Sequence, residues 1–178
     1  MKTRSKLIVA AGVVTIAGLA AAVEVRAGGD RVAFPENYAK GVRYLTLEKA
    51  DSRDVRDYYT SAAAVEAAKK GAPLPDGTVI TVVLYATQLD AQGGLTKDAN
   101  GRLIKTDKIL GYAVMEKHAG WGDAYPEVLR NGDWEYQAFR PDKSVNPNAN
   151  LTSCFNCHKP QAGQDFVFTH DNLKASAP

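Results

Sequence analysis

Five consecutive residues carry most of the chemistry available to this chain: Cys154, Phe155, Asn156, Cys157 and His158. They hold both cysteines of the 178-residue sequence and one of its three histidines. C-x-x-C-H is the attachment signature for c-type haem. On a helical turn, thiols three positions apart can each form a thioether to one haem vinyl group. The next residue, His158, can then present its imidazole to the iron as proximal ligand. The motif predicts one covalently held haem c per chain, with Cys154 and Cys157 as attachment points and His158 on the metal. Three other readings use the same residues: a structural disulfide, a redox dithiol, or half a zinc site. Zinc asks for about four ligands, and His118 and His170 stand at no finger-like spacing from the cysteines. A redox C-x-x-C usually follows a strand near the start of a βαβ unit; this one lies near the C-terminus.

The other end of the chain bears on where such chemistry would take place. Lys2, Arg4 and Lys6 precede an unbroken apolar or small run from Leu7 to Val23. A basic stretch followed by a hydrophobic one is the pattern of a secretory signal. Residues 1–27 are read as that signal, with Val25-Arg26-Ala27 before the cut, and residues 28–178 as one domain. An uncleaved membrane anchor is the alternative for the same run. Export places the protein in the periplasm, the compartment in which c-type haem is attached. Removing residues 1–27 takes away four cations and one anion, so the formal charge falls from +2 to −1. The basicity belongs to the leader. No basic stripe is left to argue for nucleic acid.

The elements that must position the motif can be read from periodicity and turn residues. Gly28 to Ala33 reads as a flexible lead-in, with order starting at Phe34-Pro35. Asp54 to Thr60 reads as a short strand. Ser61 is an N-cap for an alanine-rich helix over residues 62–70, and Gly71 its stop. Thr78 to Thr87, rich in β-branched residues, is the clearest strand, with Ile80, Val82 and Leu84 on one face. Asp90 to Asp107 is a polar loop or loose hairpin. Lys108 to Glu116 and Trp134 to Arg140 are two more strands, with Gly111, Ala113 and Met115 on one side of the first, and Trp134, Tyr136 and Ala138 on one side of the second. Pro141 to Asn150 is an irregular arm leading into the haem turn, and a short tail follows. This is an α+β pattern: a mainly antiparallel sheet with a few short helices in a single domain. The strands argue against a four-helix-bundle cytochrome. The motif's late position, with no methionine after it, argues against the commonest small electron-transfer type.

In this order of elements the chain resembles the cytochrome P-460 and cytochrome c′-beta family. The likeness rests on Val55-Arg56-Asp57-Tyr58-Tyr59, Lys69-Lys70, Asp76-Gly77-Thr78-Val79, Gly111, Lys117, Trp134 to Phe139 with Pro141-Asp142, the haem motif, and Asp165-Phe166-Val167-Phe168-Thr169. It implies a mainly antiparallel, usually homodimeric fold around a pentacoordinate haem with an open distal side. The P-460 members oxidise hydroxylamine. Their haem is cross-linked to a lysine on the strand after the D-G-T-V turn, and a glutamate on the next strand and an arginine line the pocket. In this sequence the lysine position falls on Val82 or the adjacent Val83, the glutamate position on Ala113, and the arginine is retained as Arg56. The resemblance therefore leans to the c′-beta branch, whose apolar pocket binds nitric oxide and carbon monoxide. Lys117 is the first lysine to check for a cross-link.

Three distal arrangements follow. An open site over Val82 and Ala113, with Arg56 as donor or counter-charge, would bind nitric oxide or a similar small ligand. A protein ligand (Met115, His118 or His170) would close the site and leave electron transfer. Oxidation of hydroxylamine or another nitrogen compound, with electrons passed to a partner cytochrome, would need a positioned acid or base such as Glu116. Trp121 and Trp134 read as core or interface aromatics rather than electron relays.

Overall fold

A computed structural model describes residues 31–176. The signal read over residues 1–27, and its boundary, lie outside the described residues. Five strands, β1 (Val42–Lys49), β2 (Asp54–Thr60), β3 (Val79–Thr87), β4 (Lys105–Lys117) and β5 (Trp134–Phe139), form one antiparallel sheet in the order β1-β2-β3-β4-β5. Three short helices, α1 (Ala62–Lys69), α2 (Leu151–His158) and α3 (His170–Ala175), contribute to the core on one face. The predicted α+β fold with a mainly antiparallel sheet is the observed one.

Local chemistry explains most boundaries. The Ser61 side chain accepts a hydrogen bond from the Ala64 N–H at 3.1 Å, capping the first turn of α1. Gly71 follows the helix at φ +66°, the left-handed conformation that ends helices. In β4 the register slips beside Gly111, whose φ is +153° and where a Cβ would lie 2.9 Å from the Phe139 carbonyl oxygen. The bulge there is possible because the residue is glycine. Leu89 bridges Leu95 and Lys97 bridges Leu103, so the polar segment before β4 is a loose hairpin.

Both faces of the sheet are covered. On the helix face, Tyr44, Ile80, Met115, Trp134 and Tyr136 pack with Ala64, Val65 and Ala68 of α1, Phe155 of α2 and Leu173 of α3. On the other face, Val83, Val114, Tyr112 and Phe139 pack with Val32. Val32 is buried, so the expected flexible lead-in is corrected for residues 31–33: this segment supplies an apolar plug to the second face. β1 and α3 are additions to the predicted elements. In β1 the register shifts between Arg43 and Leu45, which turns both Tyr44 and Leu45 toward the helix-side core and breaks the alternation that marks a strand.

Candidate functional site

A cavity of ≈650 Å³ opens between the helix face of the sheet and the C-terminal segment, within the range of small-molecule and cofactor sites. Its floor is set by register. Leu45, Tyr58, Val82, Ala113 and Ala138 pair in turn, one from each strand, and all five line the cavity. Leu47, Arg56 and Leu84 form the next row toward one end, and Ile80, Met115 and Tyr136 the row toward the other. The opposite wall is Cys154, Cys157 and His158 of α2, then Val167, Phe168, Thr169 and Asn172. A second hollow of ≈530 Å³ between residues 35–41 and 59–62 has no cysteine or histidine on its lining.

Helix α2 is anchored by the residue between its cysteines. Phe155 is fully buried, with ring contacts to Tyr125 at 5.2 Å and Tyr136 at 4.8 Å, and its carbonyl accepts from Asn131 Nδ2 at 2.9 Å. The Asn150 side chain caps the helix on the Ser153 N–H. With Phe155 held inside, Cys154, Cys157 and His158, at positions i, i+3 and i+4, share the face toward the cavity. Both cysteines are free thiols, and burial, then the neighbouring Cys157, pushes the Cys154 thiol up.

His158 is oriented by one short bond. Its Nδ1 lies 2.7 Å from the Phe166 carbonyl oxygen; a carbonyl only accepts, so Nδ1 carries the proton and Nε2 keeps the lone pair. Tyr136 and Phe168 flank the ring at 4.9 and 5.0 Å. Burial lowers the imidazole's pKa, partly opposed by the bond to Phe166, which favours the neutral form that ligates metals. The turn supplying this carbonyl is costly. Asp165 and Phe166 both have positive φ, +51° and +60°, a conformation that costs an L-residue roughly 1–2 kcal/mol.

At the rim, Arg56 forms a fork with Asp54, Nε donating to Oδ1 at 2.7 Å and Nη2 to Oδ2 at 3.1 Å. Burial pushes the Asp54 carboxyl up, but bonds from Arg56 and Ser52 more than reverse this and hold it below the usual carboxylate range. Arg56 therefore brings a largely neutralised charge. Tyr58 lies on the same face two positions on, and burial, opposed by the Arg56 charge, pushes its hydroxyl pKa up. Tyr58 was missed as a distal residue, although alternation from Arg56 places it on the same face. Lys49 also lines the cavity, while Leu47 and Phe168 stand exposed at its mouth.

The remaining candidates separate cleanly. Val82 faces the cavity; Val83 is fully buried on the opposite face. Met115 lines the cavity and is packed into the core. His118 and Glu116 pair with each other at 2.9 Å, outside the cavity lining, with the His118 ring tilted against Trp121 at 4.5 Å. His170 borders a separate hollow of ≈320 Å³. Neither of these histidines can close the iron site from where it lies. Trp134 is buried core. Lys117, singled out as a possible cross-link, is corrected: its Nζ lies 2.8 Å from Asp165 Oδ2 and donates to the Leu74 carbonyl at 3.0 Å, and it does not line the cavity.

The residues fit a haem: two thiols and an imidazole with its Nε2 lone pair available stand on one helix face, opposite an apolar floor of suitable size. Among the described residues, no aspartate or glutamate lines the cavity, and no group of three or more His, Cys, Asp or Glu gathers as metal ligands elsewhere. No curated protein matches the chain. The family profile described as Cytochrome P460 matches residues 35–169, which run from just before the first strand through the haem motif to the segment behind His158. The chain is a haem cytochrome and belongs to the cytochrome P-460 family.

Proposed function

We propose that the protein is a monohaem c-type cytochrome that binds nitric oxide or a similarly small neutral ligand at an open, apolar distal site. Cys154 and Cys157 would hold the haem through thioethers, and His158 Nε2 would take the proximal position. When bound, the haem supplies an iron that coordinates small ligands and changes oxidation state. The observation that carries the reading is the floor built by Leu45, Val82, Ala113 and Ala138, with no carboxylate on the cavity wall among the described residues.

The chain's own groups favour binding over turnover. General acid–base chemistry needs a titratable group within hydrogen-bond reach of the reacting atom. Glu116 is committed to His118, and the Arg56 fork to Asp54. The floor row carries no charge, and of the two cations on the lining, Arg56 and Lys49, Arg56 is already paired with Asp54. Tyr58 lines the cavity with a hydroxyl that can donate toward a polar ligand. Residues 1–27 support export to the periplasm. Leu47 and Phe168, apolar and exposed at the mouth, support docking of a redox-partner cytochrome there. Tyr59, Tyr85 and Ile109, partly buried on the second sheet face, support pairing of two copies.

The test compares ligand binding with turnover. Purified haem-loaded protein is titrated with nitric oxide and carbon monoxide, then assayed for hydroxylamine oxidation with an artificial electron acceptor. Gas binding without turnover is expected. Sustained hydroxylamine oxidation would make the enzyme reading the correct one, with Lys49 the lysine to replace first.

A further inference from the structure

Behind His158 lies a group of residues that the haem motif does not include. The Asp165 carboxylate receives Lys117 Nζ on both oxygens, at 3.0 Å to Oδ1 and 2.8 Å to Oδ2, Trp134 Nε1 at 3.3 Å on Oδ1, and the Leu74 N–H at 2.9 Å on Oδ2. Lys117 closes the group by donating to the Leu74 carbonyl. Three separate parts of the chain, the loop after α1, β4 and β5, thus converge on one carboxylate. Lys117 and Asp165 are themselves mostly buried, at 16% and 17% side-chain exposure. Asp165 is the first of the two consecutive residues with positive φ, and the second, Phe166, supplies the carbonyl that His158 Nδ1 bonds.

We infer that Asp165, clamped by Lys117, Trp134 and the Leu74 N–H, is the positioning residue of the proximal histidine, acting through the Phe166 carbonyl. Aspartate tolerates the left-handed region, but phenylalanine does so rarely. An unfavourable turn persists only where its surroundings over-determine it. The four bonds to Asp165 do that on one side, and the Phe166 N–H to the Gln161 carbonyl, at 2.8 Å, does it on the other. With the turn fixed, the carbonyl sits where it holds the imidazole plane, selects the Nδ1–H tautomer and raises the donor strength of Nε2. If the clamp is loosened, the turn relaxes, the carbonyl swings away and the histidine becomes a weaker, less oriented ligand.

This inference rests on the proposed ligation by His158, and the test separates the two. Holoprotein is prepared as wild type, Asp165→Asn, Lys117→Gln and Lys117→Arg. Each is examined for covalent haem content, for the iron–histidine stretch of the ferrous form by resonance Raman, for midpoint potential, and for the rate at which nitric oxide displaces the histidine. Asp165→Asn and Lys117→Gln are expected to keep their haem, lower the stretching frequency, raise the potential, and speed displacement by about tenfold, the size of effect common for groups behind a metal ligand. Lys117→Arg should restore most of the wild-type stretch. Where Asp165→Asn does not accumulate, Lys117→Gln and Trp134→Phe, which each remove donors to the same carboxylate, carry the same measurement. Wild-type stretch and potential in fully haem-loaded Lys117→Gln and Asp165→Asn would overturn the positioning role while leaving His158 ligation intact. A wild-type protein whose ferrous haem is high-spin yet shows no iron–histidine stretch would overturn the ligation itself, and the inference with it.

Discussion

A few side chains decide what this cavity can do, and they differ in how visible they are in the sequence. Cys154, Cys157 and His158 could be read because their chemistry is encoded in five adjacent residues. Val82 and Ala113 could be placed on one face because alternation in β3 and β4 is regular at that level. The ambiguity between Val82 and Val83 needed the sheet, since only the fold shows which face the C-terminal helix covers. Lys117 and Asp165 could not be paired beforehand: they lie 48 positions apart and meet only when the chain closes behind α2. On the proposed distal side, Tyr58 offers a hydroxyl whose pKa burial pushes up. A hydroxyl donor stabilises a polar bound ligand such as dioxygen more than carbon monoxide, by about 1 kcal/mol for a typical hydrogen bond. Tyr58→Phe should therefore weaken dioxygen binding to the ferrous protein several-fold and leave carbon monoxide affinity nearly unchanged, as measured by flash photolysis. Equal loss for both gases would mean that Tyr58 acts only by filling space.

At the scale of elements, the sheet is the instrument that aligns the site, and each helix has one task. α1 packs Ala64, Val65 and Ala68 into the core and carries no residue of the cavity wall. Its start is set by Ser61, so Ser61→Ala should lower unfolding stability by about 1 kcal/mol, the usual worth of such a cap. Denaturant unfolding of the holoprotein checks this, and the haem spectrum should not change. α2 presents the haem motif because Phe155 is buried on its other side. Most of these elements were legible: β3 from its β-branched run, β2 as a short strand before the Ser61 cap, and α1 from its cap and stop. The first strand was not, because the bulge at Tyr44 and Leu45 puts adjacent residues toward the same core. Tyr44 uses that position to hydrogen-bond Thr169 at 2.8 Å, tying the first strand to the segment behind the haem motif. α3, at six residues, is too short to show helical periodicity.

Taken as a whole molecule, the protein is a sheet with a helix-covered face and an aromatic face. Burial pushes the Glu135 carboxyl up, against the opposing charge of the Arg31 guanidinium 3.6 Å away. Its folded-state pKa thus lies above the unfolded value of about 4.3. Any stabilisation from this group is present below that value and is lost as pH rises through the folded one. At neutral pH the buried carboxylate is a net cost, so Glu135→Gln should raise unfolding stability at pH 7 by on the order of 1 kcal/mol, and the melting temperature with it. The gain should vanish near pH 4, as thermal melts across that interval would show. The proposed open, proximal-only ligation is tested most directly by the electronic absorption spectrum of the purified ferrous protein, before and after nitric oxide. A high-spin c-haem spectrum that changes on adding the gas is the predicted result. A low-spin spectrum indifferent to nitric oxide would show that a residue such as Met115 already occupies the sixth position, and would contradict it.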